Sequence, residues 1–100
     1  MKVYISGKIS GLPQDRVEKK FKAAENWLRT EGYTPVNPAG LQIPGLEYED
    51  YMTIDLAMLS VCDAIFMLSD WRVSPGAIRE HARALELGLK VIFEEEMIKE

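Results

Sequence analysis

Ser74-Pro75-Gly76-Ala77-Ile78-Arg79-Glu80 holds the residue types best suited to chemistry in this chain. It follows the apolar run Asp63-Ala64-Ile65-Phe66-Met67-Leu68 and precedes an Ala/Leu-rich stretch ending at Gly88, a context that reads as strand, loop and helix start. The amides of a helix N-terminus attract anions, and Glu80 lies about one and a half turns further in. A phosphate cradle and a carboxylate so separated can hold the two ends of a nucleotide sugar. Capping alone explains Ser74 and Pro75. It does not explain Gly76, because glycine within a helix costs about 1 kcal/mol relative to alanine. A missing side chain there lets a ligand approach the backbone.

On a helical wheel Arg79, Arg83 and Glu86 share the wet side, whereas Glu80 falls between Ala84 and Leu87, on the small and apolar side. Burying a carboxylate is costly unless it is paired or functional. Asp55 repeats the anomaly, sharing a face with Met52, Leu56 and Leu59. Two carboxylates in unequal environments can divide acid and nucleophile roles. Each also has a plainer reading. Glu80 can sit at the stripe's border paired with Arg83 or Lys90, and Asp55 can accept backbone amides near a loop.

Seven helices and strands must position these groups. Val3-Tyr4-Ile5 is a β-rich run closed by Ser6-Gly7. Helical periodicity runs from Pro13 to about Glu31, with Val17, Phe21, Ala24 and Leu28 on one face and Gly32 as terminator. Tyr33 to Val36 reads as a second strand, edge-suited by Pro35, and a loop follows from Asn37 through Gly45. A helix over about Tyr48–Ser60, a strand over Asp63–Leu68, a loop over Ser69–Ser74, a helix over Pro75–Leu87 and a strand over Lys90–Phe93 complete the chain. Glu94-Glu95-Glu96 reads as a solvated tail.

This β-α alternation implies an α/β fold: one domain over residues 1–100, three layers, and a four-stranded parallel sheet. A flavodoxin-like strand order, 2-1-3-4, puts the proline strand at the edge and the wholly apolar third strand inside. Ligands then bind beyond the strand C-termini, between strands 1 and 3. The loops Ser6–Gly11 and Ser69–Ser74 both point there. Ser6 and Gly7 are therefore candidate binding residues, although the loop matches no named phosphate motif and can be an ordinary turn. Trp71, in the second loop, can stack a nucleobase or cap the core. His81 adjoins Glu80 but points about 100° away on a helix, which favours packing over catalysis.

The bulk properties narrow the classes. A net charge of -4 argues against binding driven by nucleic-acid phosphates and favours a small-molecule partner. One cysteine, Cys62, excludes an internal disulfide framework and reads as a buried thiol. One histidine and no cysteine cluster make a zinc site improbable, and no GxSxG elbow supports a serine triad. No apolar run reaches the ~18–20 residues of a membrane span. Met1–Ser6 looks like a strand rather than a leader. The expectation is a cytoplasmic protein that engages neither nucleic acid nor membrane.

Taken together, Tyr4-Ile5-Ser6-Gly7-Lys8-Ile9-Ser10-Gly11, Gly32-Tyr33 with Asn37-Pro38, Asp55 with Leu59, Cys62-Asp63-Ala64, and Ser74-x-Gly76-x-x-x-Glu80 with Ala84 and Gly88 resemble the nucleoside 2-deoxyribosyltransferase-like superfamily. The likeness spans nearly the whole chain, and its short phage- or bacterium-encoded branch is the nearest in pattern. It implies a flavodoxin-like sheet and cleavage or transfer at the N-glycosidic bond of deoxynucleosides or their monophosphates. It also implies Glu80 as nucleophile, Asp55 as the carboxylate that orients or protonates the leaving base, Ser74 and Gly76 at the monophosphate, and Ser6-Gly7 as pocket floor. No metal or organic cofactor is expected, and a homodimer or larger homo-oligomer is. The chain is shorter than that superfamily's enzymes, so a non-catalytic nucleotide-binding or sensing module on the same fold is the alternative.

Overall fold

The computed structural model describes residues 1–97. Strand β1 (Lys2–Ser6) leads to helix α1 (Gln14–Thr30), β2 (Thr34–Val36), α2 (Tyr48–Ser60), β3 (Ala64–Met67), α3 (Pro75–Leu87), β4 (Lys90–Phe93) and the short α4 (Glu94–Met97). Two 3-10 turns, Pro38–Gly40 and Trp71–Val73, interrupt the loops before α2 and α3. The sheet is four-stranded and parallel in the order β2-β1-β3-β4. That is the predicted order, and the proline-bearing β2 is an edge as expected.

Periodicity explains the layers. In α1, Val17, Phe21, Ala24 and Leu28 form one buried face, and burying each large side chain is worth about 1.5–3 kcal/mol. They pack on Val3, Ile5, Phe66 and Leu68, on one side of the sheet. Alternation along β1 sends Tyr4 to the opposite side, where Leu59 and Cys62 from the α2 end and Ala77 and Ala84 of α3 cover it together with Ile65 and Met67. All four residues of β3 are buried. Cys62 is a buried thiol, as predicted, and donates to the Met58 carbonyl at 3.3 Å.

Two expectations are corrected. Asn37–Gly45 is not plain loop, since Asn37 Oδ1 accepts the Ala39 N–H at 2.9 Å and caps the turn Pro38–Gly40. Nor is Glu94–Glu96 a free tail. Glu94 accepts the Ser69 N–H at 2.7 Å and Glu95 pairs with Arg72, so α4 folds back on the loop after β3. Among the described residues, no helix is long and apolar enough to cross a membrane.

Candidate active site

β1 and β3 end in register, Ser6 opposite Met67, and their loops diverge to the two sides of a crevice. Gly7 lies so close to β3's exit that a Cβ would sit 2.6 Å from Leu68 Cδ1 and 2.8 Å from Leu68 Cβ. Leu68 is fully buried and cannot retreat. Glycine at position 7 is therefore demanded by packing, beyond the turn that its sequence context suggested. In front of these strand ends opens a cavity of about 1020 Å³. Its walls come from the β1 loop (Gly7, Lys8, Ile9), the segment 38–44, α2 (Tyr48, Tyr51, Met52, Asp55) and the start of α3 (Ser74, Gly76, Glu80).

Glu80 reaches the cavity from the buried face of α3 and is only 5 % exposed. Its partner is neither Arg83 nor Lys90. The Tyr4 hydroxyl donates to Glu80 Oε2 at 2.7 Å, and the Ser6 hydroxyl donates to Oε1 at 2.6 Å. Both donors come from the one face of β1 that turns toward α3. Burial dominates the carboxyl's acidity and pushes its pKa up to about 7; the two hydroxyls and the Arg79 charge oppose the rise, and the Asp55 charge adds to it. The same burial, together with the Glu80 and Asp55 charges, raises the Tyr4 phenol well above its ordinary value, so Tyr4 stays a donor. Asp55, half-buried on α2, has its pKa raised to about 6 by burial alone. The cavity thus joins two carboxyls, each less acidic than in water, with the Asp55 charge adding to the rise at Glu80.

The start of α3 has fewer free donors than a generic helix end. Ser74 Oγ caps the Ala77 N–H at 3.1 Å, the Ser74 carbonyl takes the Ile78 N–H at 2.9 Å, and Pro75 has no N–H. Ser74 and Gly76 both line the cavity. Packing does not by itself demand glycine at position 76. A Cβ there would lie 3.4 Å from Met52 Sδ and 3.5 Å from Tyr48 Oη, which are ordinary contact distances.

Two predicted binding residues do not line the cavity: Ser6, which is 1 % exposed and bonded to Glu80, and Trp71. The turn Trp71–Val73 carries its indole inward, where it lies 4.5 Å from the His81 ring and 6.1 Å from Phe93, with the Arg72 guanidinium 4.8 Å from its centre. It is 9 % exposed and caps the core. His81 packs against it, as its helical direction implied. Several cavity residues had escaped attention, namely Lys8, Tyr48, Met52 and the segment 38–44, and so had Tyr4, which is buried outside the lining and bonds Glu80. Tyr4 was legible in principle, because Tyr4 and Ser6 alternate as the polar-bearing face of an otherwise aliphatic strand. The segment 38–44 was not, since its position depends on Tyr51, whose hydroxyl bonds both the N–H and the C=O of Ile43 at 3.0 and 2.9 Å. Among the described residues no group of three or more His, Cys, Asp or Glu side chains is placed to hold a metal.

The fold matches that of a 2-deoxyribosyltransferase from Leishmania mexicana, with a TM-score of 0.71 at 19 % identity, over 92 % of this chain and 62 % of that one. It also matches a CMP N-glycosidase from Clostridium botulinum, with a TM-score of 0.64 at 19 % identity, over 99 % of this chain and 75 % of that one. The chain thus spans less than two thirds of the first enzyme's length. It shares the fold of these two enzymes, which is the fold that the sequence resemblance implied. No curated protein sequence matches the chain. A family profile described as domain of unknown function (DUF4406) matches residues 1–93, and the chain belongs to that family.

Proposed function

We propose that this member of the DUF4406 family cleaves or transfers the N-glycosidic bond of a (deoxy)nucleoside or nucleoside monophosphate, with Glu80 as nucleophile. The observation that carries this reading is a buried carboxylate, gripped on both oxygens by hydroxyls, facing a cavity that it shares with a second carboxyl. The named activities of the two similar structures, 2-deoxyribosyl transfer and N-glycoside cleavage of CMP, belong to the same class of reaction.

In this scheme a Glu80 oxygen bonds the anomeric carbon as the carbon–nitrogen bond breaks, leaving a glycosyl ester on the enzyme. The bonding pair leaves with the base, which gains a proton from Asp55 or from water that Asp55 orients. Water then resolves the ester in hydrolysis, and a second base does so in transfer. Tyr4 and Ser6 keep one lone pair of each carboxylate oxygen occupied and favour the ionised form against the pull of burial. Ser74 and Gly76 hold the monophosphate where the substrate carries one, above a floor at Gly7 behind which Ser6 supports Glu80. A homodimer or larger assembly belongs to the same reading, because Ile9, Ile43 and Tyr48 rim the cavity mouth at 36, 42 and 44 % exposure. Sedimentation checks it.

Incubation with each common deoxynucleoside and its 5′-monophosphate, followed by chromatography of released base, tests the reaction. Base release that disappears in Glu80→Gln supports it. Ligand binding with no release from any of the panel sinks it. That outcome would favour a nucleotide-binding module, for which the Glu80 pKa near 7 is suited, because a half-protonated carboxyl both donates to and accepts from a ligand.

A further inference from the structure

The Gly7–Lys8 wall of the cavity is held by a device outside the cavity. Lys20, next to Phe21 on α1, donates from Nζ to the Lys8 carbonyl at 2.7 Å and also pairs with Asp70 Oδ2. Asp70, in the loop after β3, accepts the Lys8 N–H on Oδ1 at 3.0 Å. Both polar groups of one residue's backbone are therefore gripped by an ion pair whose members come from two other elements. Neither side chain lines the cavity, and they are 23 and 30 % exposed. An ion pair so placed contributes little to global stability. Its geometry, however, is specific: it ties α1, the β1 loop and the β3 loop together at the point where the strands diverge.

Two residues before Lys8, Ser6 donates to Glu80 and its carbonyl accepts the Leu68 N–H at 2.8 Å. Between them Gly7 has no room to shift toward Leu68. The chain from Ser6 to Lys8 is thus fixed at one end by β3, in the middle by Leu68 and at the other end by the pair. We propose that Lys20 and Asp70 are positioning residues of this site, which clamp the Lys8 peptide and so hold the Ser6 hydroxyl on Glu80 and the cavity wall at its working distance. This rests on Glu80 being the reactive or ligand-facing group, but it does not require turnover.

The test reads Glu80 directly. The groups that face Glu80 are Tyr4 and Ser6 of β1, Asp55 of α2 and Arg79 of α3; the pair is not among them, so it can act only through backbone position. Carboxyl 13C NMR of Glu80 is followed against pH in the wild type, Lys20→Met, Lys20→Arg and Asp70→Asn. Loss of the clamp slackens the Ser6 bond, so Lys20→Met should titrate Glu80 at higher pH by about half a unit or more, because a hydrogen bond to the ionised form is weakened. Lys20→Arg, which keeps a donor for both acceptors, should restore most of the difference, and Asp70→Asn, which keeps an acceptor for the Lys8 N–H, should fall between. Where base release occurs, kcat/KM of Lys20→Met should drop about threefold at pH 6.5 and recover toward the wild-type value at pH 8.5. A lowered melting temperature with an unmoved Glu80 titration would mean a purely structural pair and overturn the proposal. So would a titration that moves equally in Lys20→Arg. Absence of base release in the wild type strikes the reaction alone, since the titration still decides the clamp.

Discussion

The two faces of β1 differ in kind. Val3 and Ile5 point to α1 and pack in an apolar cluster with Val17, Phe21, Ala24, Leu28, Phe66 and Leu68. Tyr4 and Ser6, one position along in each case, point to α2 and α3 and hold a buried carboxylate. One strand therefore contributes hydrophobic stability on one side and holds a costly charge on the other. The contrast teaches where this fold can carry function: the α1 side satisfies the sheet, which leaves the other side free to bury Glu80 at a loss. The loss is measurable, because the pKa of about 7 against an ordinary 4.5 means that burial opposes ionisation more than two hydroxyls favour it.

The largest break in the comparison is Glu80→Gln. Base release should fall on the order of a thousandfold or more, since a neutral amide is no substitute for the nucleophile. Stability should move the other way. The folded pKa of Glu80 is raised, so the wild type binds more protons folded than unfolded between pH 4.5 and 7, and it loses stability as pH rises through about 7. The glutamine variant lacks that loss. It should therefore be more stable than the wild type at pH 8, by on the order of 3 kcal/mol, with the gap closing toward pH 4.5. Denaturant unfolding of both proteins at the two pH values checks this, and a gap independent of pH would contradict it.

Leu28→Ala probes the opposite face, at a buried α1 residue that does not line the cavity. It should cost about 2–5 kcal/mol through the void it leaves, seen as a fall in urea midpoint. The Glu80 titration should stay within a few tenths of a pH unit, provided the variant is studied while folded. If Glu80 moved strongly, the two sides of the sheet would not be separable in the way argued here.

Tyr4→Phe sharpens the polar face. It removes a bond to the charged form, worth about 1.5–3 kcal/mol, so the acid limb of the pH–rate profile should climb from about 7 by about one to two pH units. A variant that lost rate equally at all pH values would show that Tyr4 does not act by favouring the ionised carboxylate.

Asp55→Asn gives the smallest change and separates two roles. If Asp55 donates a proton, wild-type kcat/KM is bell-shaped, rising as Glu80 ionises through about 7 and held back as Asp55 loses its proton above about 6. The competent ionisation state would then be a minor one, roughly a twentieth of the enzyme near pH 6.5. If Asp55 only orients the base, the profile is a simple rise through about 7, and Asp55→Asn leaves its shape unchanged.

Much of this was open to reading in one dimension. Helix spans such as Tyr48–Ser60 and Pro75–Leu87 followed from periodicity and caps, and the strand order followed from Pro35 at an edge and a β3 with no polar residue. The same periodicity put Glu80 and Asp55 on inward faces, because a wheel position is a local property of a helix. What the wheel could not supply was the partner. Tyr4 and Glu80 are 76 positions apart, and only parallel pairing of β1 with β3, crossed by α3, brings the phenol to the carboxylate. Trp71 failed for a related reason: its loop was placed correctly, but one 3-10 turn reverses a side chain, and no periodicity governs a three-residue turn. Lys20 and Asp70 carried no signal at all as a surface lysine and a loop aspartate until the strands converged on Lys8. The amino-acid order by itself determined the elements, their buried faces and the two anomalous carboxylates, since these depend on neighbours a few residues away. Tertiary structure alone decided which hydroxyls hold Glu80, how far its pKa rises and which aromatic faces the cavity, because burial and long-range hydrogen bonds exist only once the sheet has closed.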